Sequence, residues 1–129
     1  YNNYKKAELV VKFVGLFPYT AKRRELDMGL FDKNINKYIE EFKAEDGILL
    51  VDVREADEYA LGRIPGSINV PLSNIKEIED AVPDKSAKIY VYCLSGGRSD
   101  MAEGFMKSNG YSDVTNIGGI AQYKGKLEN

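Results

Sequence analysis

The sequence predicts an α/β domain, a parallel sheet with helices on both faces. Three observations carry that expectation. Strand-like apolar runs alternate with stretches of helical periodicity along the chain. The runs at 48–53 and 88–92 are apolar almost throughout, the pattern of parallel strands covered on both sides. The second of them leads through a glycine-rich loop directly into a helical pattern, as βα units do.

The elements follow in order. Asp32 is placed to cap a first helix whose Ile35, Tyr38, Ile39 and Phe42 form one apolar stripe, and Glu45-Asp-Gly47 ends it. A strand at 48–53 follows, with Asp52 breaking its apolar run near the C-terminal end. Residues 56–61 read as a short helix stopped by Gly62, with Glu55 and Asp57 suited to its first turn. Residues 67–70 form a second short strand. Pro71 precedes a third helix, capped by Ser73, carrying Ile75, Ile78 and Val82 and ending at Pro83; Asp84-Lys85 then turns into the strand that leads to Cys93. Ser99 and Asp100 begin the next helix, in which Met101, Phe105 and Met106 recur at helical spacing and Gly110 closes the end. The last strand runs over 114–117.

Composition narrows the chemistry. A chain of 129 residues buries roughly two-thirds of its unfolded surface, enough for one core. The 18 basic residues are outnumbered by 20 acidic ones and form no long run, which argues against nucleic acid as a partner. No apolar run reaches the ~20 residues needed to span a bilayer, so no membrane partner is expected. Histidine is absent, which removes a Cys-His dyad, an imidazole base and His-liganded metals, and one cysteine cannot complete the usual zinc sets. No metal or cofactor is implied. The single cysteine forms no internal disulfide, and as a reactive thiol it must stay reduced, which points to the cytoplasm.

Cys93 is the candidate nucleophile. A lone cysteine is most often a small buried hydrophobe. Here, however, it ends a strand and opens a loop of Leu94, Ser95, Gly96, Gly97, Arg98 and Ser99 just before a helix. That arrangement aims unpaired N–H groups and the positive helix end at the sulfur, and both favour a thiolate. Arg98 is placed to add positive potential for an anionic donor, with a structural salt bridge as its alternative role. Asp52, Arg54 and Glu58 near the first strand's end read as a mutual pairing that fixes the following loop, and Arg63 as a further supporting residue of open role.

These residues resemble a family. The stretch Cys93–Ser99 is similar to the active-site loop of single-domain rhodaneses. Leu50-Val-Asp52-Val-Arg54-Glu55 with Glu58-Tyr59, then the segment 62–71, then Asn116-Ile-Gly118-Gly119-Ile, agree in the family's order, and the match covers about residues 31 to 125. Two positions depart: Arg63 stands where the family often has histidine, and Tyr123 where it often has tryptophan. Leu94 occupies a position where many relatives carry a basic residue, which implies weaker binding of thiosulfate. The resemblance implies a rhodanese-like fold and a sulfurtransferase that moves a sulfane sulfur from thiosulfate or another donor through a Cys93 persulfide. Its partners would be a small-molecule donor and an external thiol, cyanide or protein acceptor. Two other classes stay open. Cysteine-based phosphatases and arsenate reductases also use a thiolate loop closed by arginine, though with Cys-x5-Arg spacing against Cys-x4-Arg here, and rhodanese-like domains also serve as non-catalytic interaction modules.

The domain is expected over 28–129. Residues 1–27, with the apolar stretch 9–17 and Lys22-Arg-Arg24, form an extension that reads either as a vector-derived leader or as natural sequence, with Met28 as a candidate start.

Overall fold

Period-two alternation in the strand leading to Cys93 divides the core in two. The computed structural model describes residues 34–129. Its elements are helix α1 (Ile35–Ala44), strand β1 (Ile48–Asp52), helix α2 (Ala56–Leu61), strand β2 (Ile68–Asn69), a 3-10 segment Leu72–Glu77 running into helix α3 (Ile78–Ala81), strand β3 (Lys88–Cys93), helix α4 (Gly97–Ser108), strand β4 (Val114–Gly119) and a 3-10 turn, Ile120–Gln122. Strand order is β2-β1-β3-β4, and every pair is parallel. Successive side chains of a strand point to opposite faces. Accordingly Ile89, Val91 and Cys93 of β3 pack in one cluster with Ala102 and Met106 of α4 and with Ile75, Ile78 and Val82. Tyr90 and Tyr92 pack in the other, with Ile35 and Ile39 of α1. Helices therefore cover both faces, as the alternation of elements predicts.

The sheet reverses its order of growth at the β1/β3 pair, because the chain leaves β1 to build β2 on one side and returns to build β3 on the other. Crevices at the carboxyl ends of such strands are where α/β sheets hold ligands. Cys93 ends β3 there, beside Val53, whose N–H donates to the Tyr92 carbonyl at 3.0 Å.

Several boundaries differ from expectation, each for a local reason. Asn34 caps α1, its side chain accepting from the Lys37 N–H at 3.4 Å; Asp32, the extension 1–27 and Met28 lie outside the described residues. The third helix is a 3-10 segment broken at Asn74 (φ −129°, ψ 37°) before the single turn of α3. Ser73 does not cap it: its hydroxyl donates to the Glu55 carboxylate at 3.0 and 3.1 Å. Helix α4 starts at Gly97, two residues before Ser99, and it buries Ser99, Ala102 and Met106, whereas Met101 is exposed. Strand β4 continues to Gly119 because its pairing with β3 shifts: Val91 faces Asn116 but Tyr92 faces Gly118, so Ile117 is an extra residue. A bulge of this kind bends a strand and re-aims the side chains beside it. No described helix is long and apolar enough to cross a membrane.

A buried ion pair anchors the end of β1. The Asp52 carboxylate, fully buried, accepts from the Arg54 backbone N–H at 2.9 Å, from Nε at 3.1 Å and from Nη2 at 2.7 Å. Arg54 Nη2 also donates to the Gly62 carbonyl at 2.7 Å, and the Asn69 amide donates to the carbonyls of Asp52 and Arg54. The pair thus ties β1, the end of α2 and β2 into one rigid corner. Removing one partner of such a pair leaves an uncompensated buried charge, so Arg54→Met should destabilise by about 3–5 kcal/mol in urea unfolding. Asp52→Leu combined with Arg54→Met should cost markedly less than Arg54→Met alone.

Candidate active site

Strand parity directs the Cys93 side chain. As the residue two past Val91 and four past Ile89, it points to the face that α4 covers, straight at that helix's N-terminus. The sulfur accepts from the Gly96 N–H at 3.0 Å and the Ser99 N–H at 3.4 Å, with the Ser99 hydroxyl also at 3.4 Å. The N-cap of α4 is Gly96, which has no side chain to satisfy the helix's free N–H groups. Cys93 Sγ takes that part. Gly96 sits at φ 106°, a left-handed conformation that lets its own N–H turn back to the sulfur and that a side chain would strain. The sulfur thus lies among convergent donors at the N-terminal end of α4. Cys93 is only 1% exposed, so whatever reacts with it must enter a tight cradle.

Asn116 holds the cradle from behind. This side chain, 3% exposed, donates from Nδ2 to the Gly96 carbonyl at 3.1 Å, while its Oδ1 accepts from the Gly118 N–H at 3.0 Å and the Ser99 hydroxyl at 2.7 Å. Ser99 has one hydroxyl proton and two acceptors within reach, Asn116 Oδ1 and Cys93 Sγ. The β4 bulge at Ile117 lies between Asn116 and Gly118, whose N–H turns back to the Asn116 Oδ1 that also accepts from Ser99. One residue on, Gly119 lies against the loop so closely that an added Cβ would stand 2.1 Å from the Leu94 carbonyl oxygen and 2.5 Å from Ser95 Cα. The Ala121 N–H then donates to that same Leu94 carbonyl at 3.1 Å.

Arg98 does not stand free over the sulfur. Its Nη1 and Nη2 donate to the two carboxylate oxygens of Glu58 at 2.7 and 3.0 Å, which is the salt bridge that was its alternative role. That guanidinium, aided by the Glu55 N–H at 2.9 Å, holds the Glu58 carboxyl down at about 2. Glu58 and Glu55 also form a reciprocal capping box at the start of α2, so one carboxylate joins the first turns of α2 and α4. The expected grouping of Asp52, Arg54 and Glu58 is therefore two pairs: Asp52 with Arg54, and Glu58 with Arg98. Leu94 and Ser95 are exposed at the rim, and Gly97 begins the helix. Arg63 lies with the C-terminal segment. Its guanidinium sits 4.8 Å from the centre of the Tyr59 ring and 3.5 Å from the Glu128 carboxylate, and its backbone exchanges two hydrogen bonds with Glu128. Among the described residues no cluster of three or more His, Cys, Asp or Glu is disposed to hold a metal ion.

Sequence reasoning missed the roles of Asn116 and Gly119. The signals were present, a polar residue inside a strand and a Gly-Gly doublet at its end, but neither says which loop the strand end will touch.

The chain belongs to the rhodanese-like domain family, which matches it over residues 35–126. It is 41% identical over 71 residues to the thiosulfate sulfurtransferase PspE of Escherichia coli K12, an overlap covering 54% of this chain and 68% of that protein. It is also 31% identical over 105 residues to an adenylyltransferase and sulfurtransferase of Ogataea parapolymorpha, covering 81% of this chain but only 27% of that protein. The chain thus spans about a quarter of the length of that relative and two-thirds of the bacterial one. Among solved structures, a rhodanese with anions from Escherichia coli superposes with a TM-score of 0.59 at 34% identity, over 63% of this chain and 96% of that one. The chain is thus similar to proteins of that family that are named as sulfurtransferases.

Crowding at Gly119 yields a direct test of the clamp. Gly119→Ala must push the loop backbone aside, and overpacking of this sort costs about 1–3 kcal/mol. It should also shift the amide resonances of residues 94–99. Gly104→Ala, where an added Cβ meets nothing within 4 Å in the middle of α4, should instead stabilise by about 0.5–1 kcal/mol and leave those resonances in place.

Proposed function

We propose that Cys93 carries a sulfane sulfur between a donor and an acceptor as a persulfide. In the first half-reaction the thiolate attacks the outer sulfur of the donor. A Cys93 S–S bond forms, the donor's own bond to that sulfur breaks, and the rest of the donor leaves with the electron pair, as sulfite if the donor is thiosulfate. In the second, an external thiolate or cyanide attacks the outer sulfur and the Cys93 thiolate departs. No second cysteine exists to resolve the persulfide within the chain, so the acceptor comes from outside, as a small thiol or the thiol of a protein. A thiol that must stay reduced between turnovers suits a reducing compartment, and we place the protein in the cytoplasm.

The observation that carries this reading is the sulfur acting as the cap of α4, held by the N–H groups of Gly96 and Ser99. A purely structural cysteine requires no such donors, which weighs against a non-catalytic module. Phosphoryl transfer is less well served. It requires an arginine free to bind the oxygens of the transferred group, and both terminal nitrogens of Arg98 are taken by Glu58. We assign the domain to residues 28–129.

Cys93→Ser should retain the fold, since Sγ and Oγ both accept hydrogen bonds, and should reduce thiocyanate formation from thiosulfate and cyanide to the uncatalysed background. Thiocyanate formation by the folded variant at a rate near wild type would overturn the assignment.

A further inference from the structure

We infer that the outer edge of β2 is a docking site for a partner protein, which adds an extended segment bearing lysine or arginine to the sheet as a short antiparallel strand at Asn69. Strand β1 separates this edge from the strand that carries Cys93, and the inference does not depend on sulfur transfer.

The sheet ends in β2 on one side and β4 on the other, and the two edges differ. On β4, the Glu103 carboxylate accepts the Asn116 N–H at 3.4 Å and the Asn116 side chain accepts the Gly118 N–H at 3.0 Å. Side chains thus occupy groups that a further strand would use, a common protection of sheet edges. On β2 the described residues supply no such cover. Val70 donates inward to the Asp52 carbonyl at 3.0 Å, and the register sets Asn69 beside Asp52. Backbone groups of successive strand residues point to opposite sides, so the N–H and C=O of Asn69 face outward, and nothing among the described residues bonds to them. The opening is one residue long. Before it, the Ser67 carbonyl accepts the Tyr59 hydroxyl; after it, Pro71 has no N–H and its carbonyl accepts from Asn74 at 2.8 Å. One residue of an antiparallel partner satisfies both groups of Asn69 at once, because directly opposed residues exchange both hydrogen bonds. An antiparallel edge strand on an otherwise parallel sheet is a common arrangement.

What lies beside that edge selects the partner. A cavity of about 360 Å³ is lined by Asn69, Val70, Glu77, Asp80 and Ala81. The carboxylates of Glu77 and Asp80 are exposed and make no ion pair among the described residues, whereas Glu79 between them is held by Lys85 at 3.4 Å. Val70 packs in one cluster with Ile78 of α3, so these carboxylates lie on the Val70 side of the sheet. Ile68, two residues earlier and therefore on that same side, is 40% exposed. The partner residue opposite Asn69 shares the face of Asn69, and the residues flanking it turn their side chains toward Ile68, Glu77 and Asp80. Lysine and arginine fit those flanking positions, because the aliphatic stem lies along apolar surface while the charged head meets the carboxylates. A second copy of this chain is the poorer occupant, since two-fold pairing of β2 with β2 would set Glu77 and Asp80 against their own counterparts.

The test is a titration of the full chain, isotope-labelled for NMR, with the blocked pentapeptide acetyl-Thr-Lys-Val-Lys-Thr-amide. Saturable amide shifts centred on Asn69, Val70, Glu77, Asp80 and Ala81 are expected. N-methylation of the peptide's valine removes the N–H that pairs with Asn69 and should abolish binding, whereas N-methylation of its two lysines, whose N–H groups face away from β2, should preserve it. Replacing both lysines of the peptide by glutamate should also abolish binding. Glu77→Gln combined with Asp80→Asn, two exposed side chains, should weaken binding about fivefold, the scale of two exposed ion pairs. Absence of saturable shifts, equal binding of the glutamate peptide, or loss of binding on methylating the lysines but not the valine would overturn the inference; should the double variant not fold, the peptide series on the wild-type chain decides alone.

Discussion

Backbone N–H groups converging on one sulfur are the interaction on which the rest of the molecule depends. A helix that starts at a glycine has donors to satisfy and no side chain to satisfy them. Here the last residue of the preceding strand supplies the acceptor, and the hydrogen bonds that cap α4 are the ones that hold the proposed nucleophile, Cys93. Fold stability and the proposed chemistry therefore meet at this point.

Each neighbouring device serves to keep that geometry. Parity along β3 aims the sulfur at the helix face, and the extra residue in β4 lets Asn116 bind the loop at Gly96 and Ser99 together. Gly119 leaves no slack on the far side. Across the crevice, the buried Asp52–Arg54 corner ties down the end of α2 at Gly62, and Glu58 in the first turn of that helix holds Arg98 in place. The result is a rigid cradle with its own charge already balanced. Rigidity of that kind would suit the proposed transfer of a single atom, in which the same amides would hold the sulfur in both half-reactions.

Much of this was legible in the sequence because it follows from local rules. The β3 pattern places Cys93 on the side of Ile89 and Val91 without any knowledge of the fold, and the helix at Ala56–Leu61 follows from its acidic first turn and Gly62. The glycine pair before Arg98 marks the turn around the sulfur. What could not be read was tertiary or depended on one residue's competing options. Ser73 had a backbone N–H available and bonded to Glu55 instead, and Asn74 left the helical region in mid-segment. Glu58 and Arg98 lie 40 positions apart, and nothing in their spacing says that they meet. Asn116 is legible only as a polar residue in a strand until the bulge beside it is known.

The most direct measurement of the central claim is the intact mass of the protein after exposure to a sulfane donor, followed by treatment with cyanide. Sulfur transfer through Cys93 predicts an increment of about 32 Da confined to the Cys93 peptide, lost on addition of cyanide and absent from Cys93→Ser. A folded wild-type protein that acquires no such increment from any sulfane donor, or one whose increment survives cyanide, would contradict it.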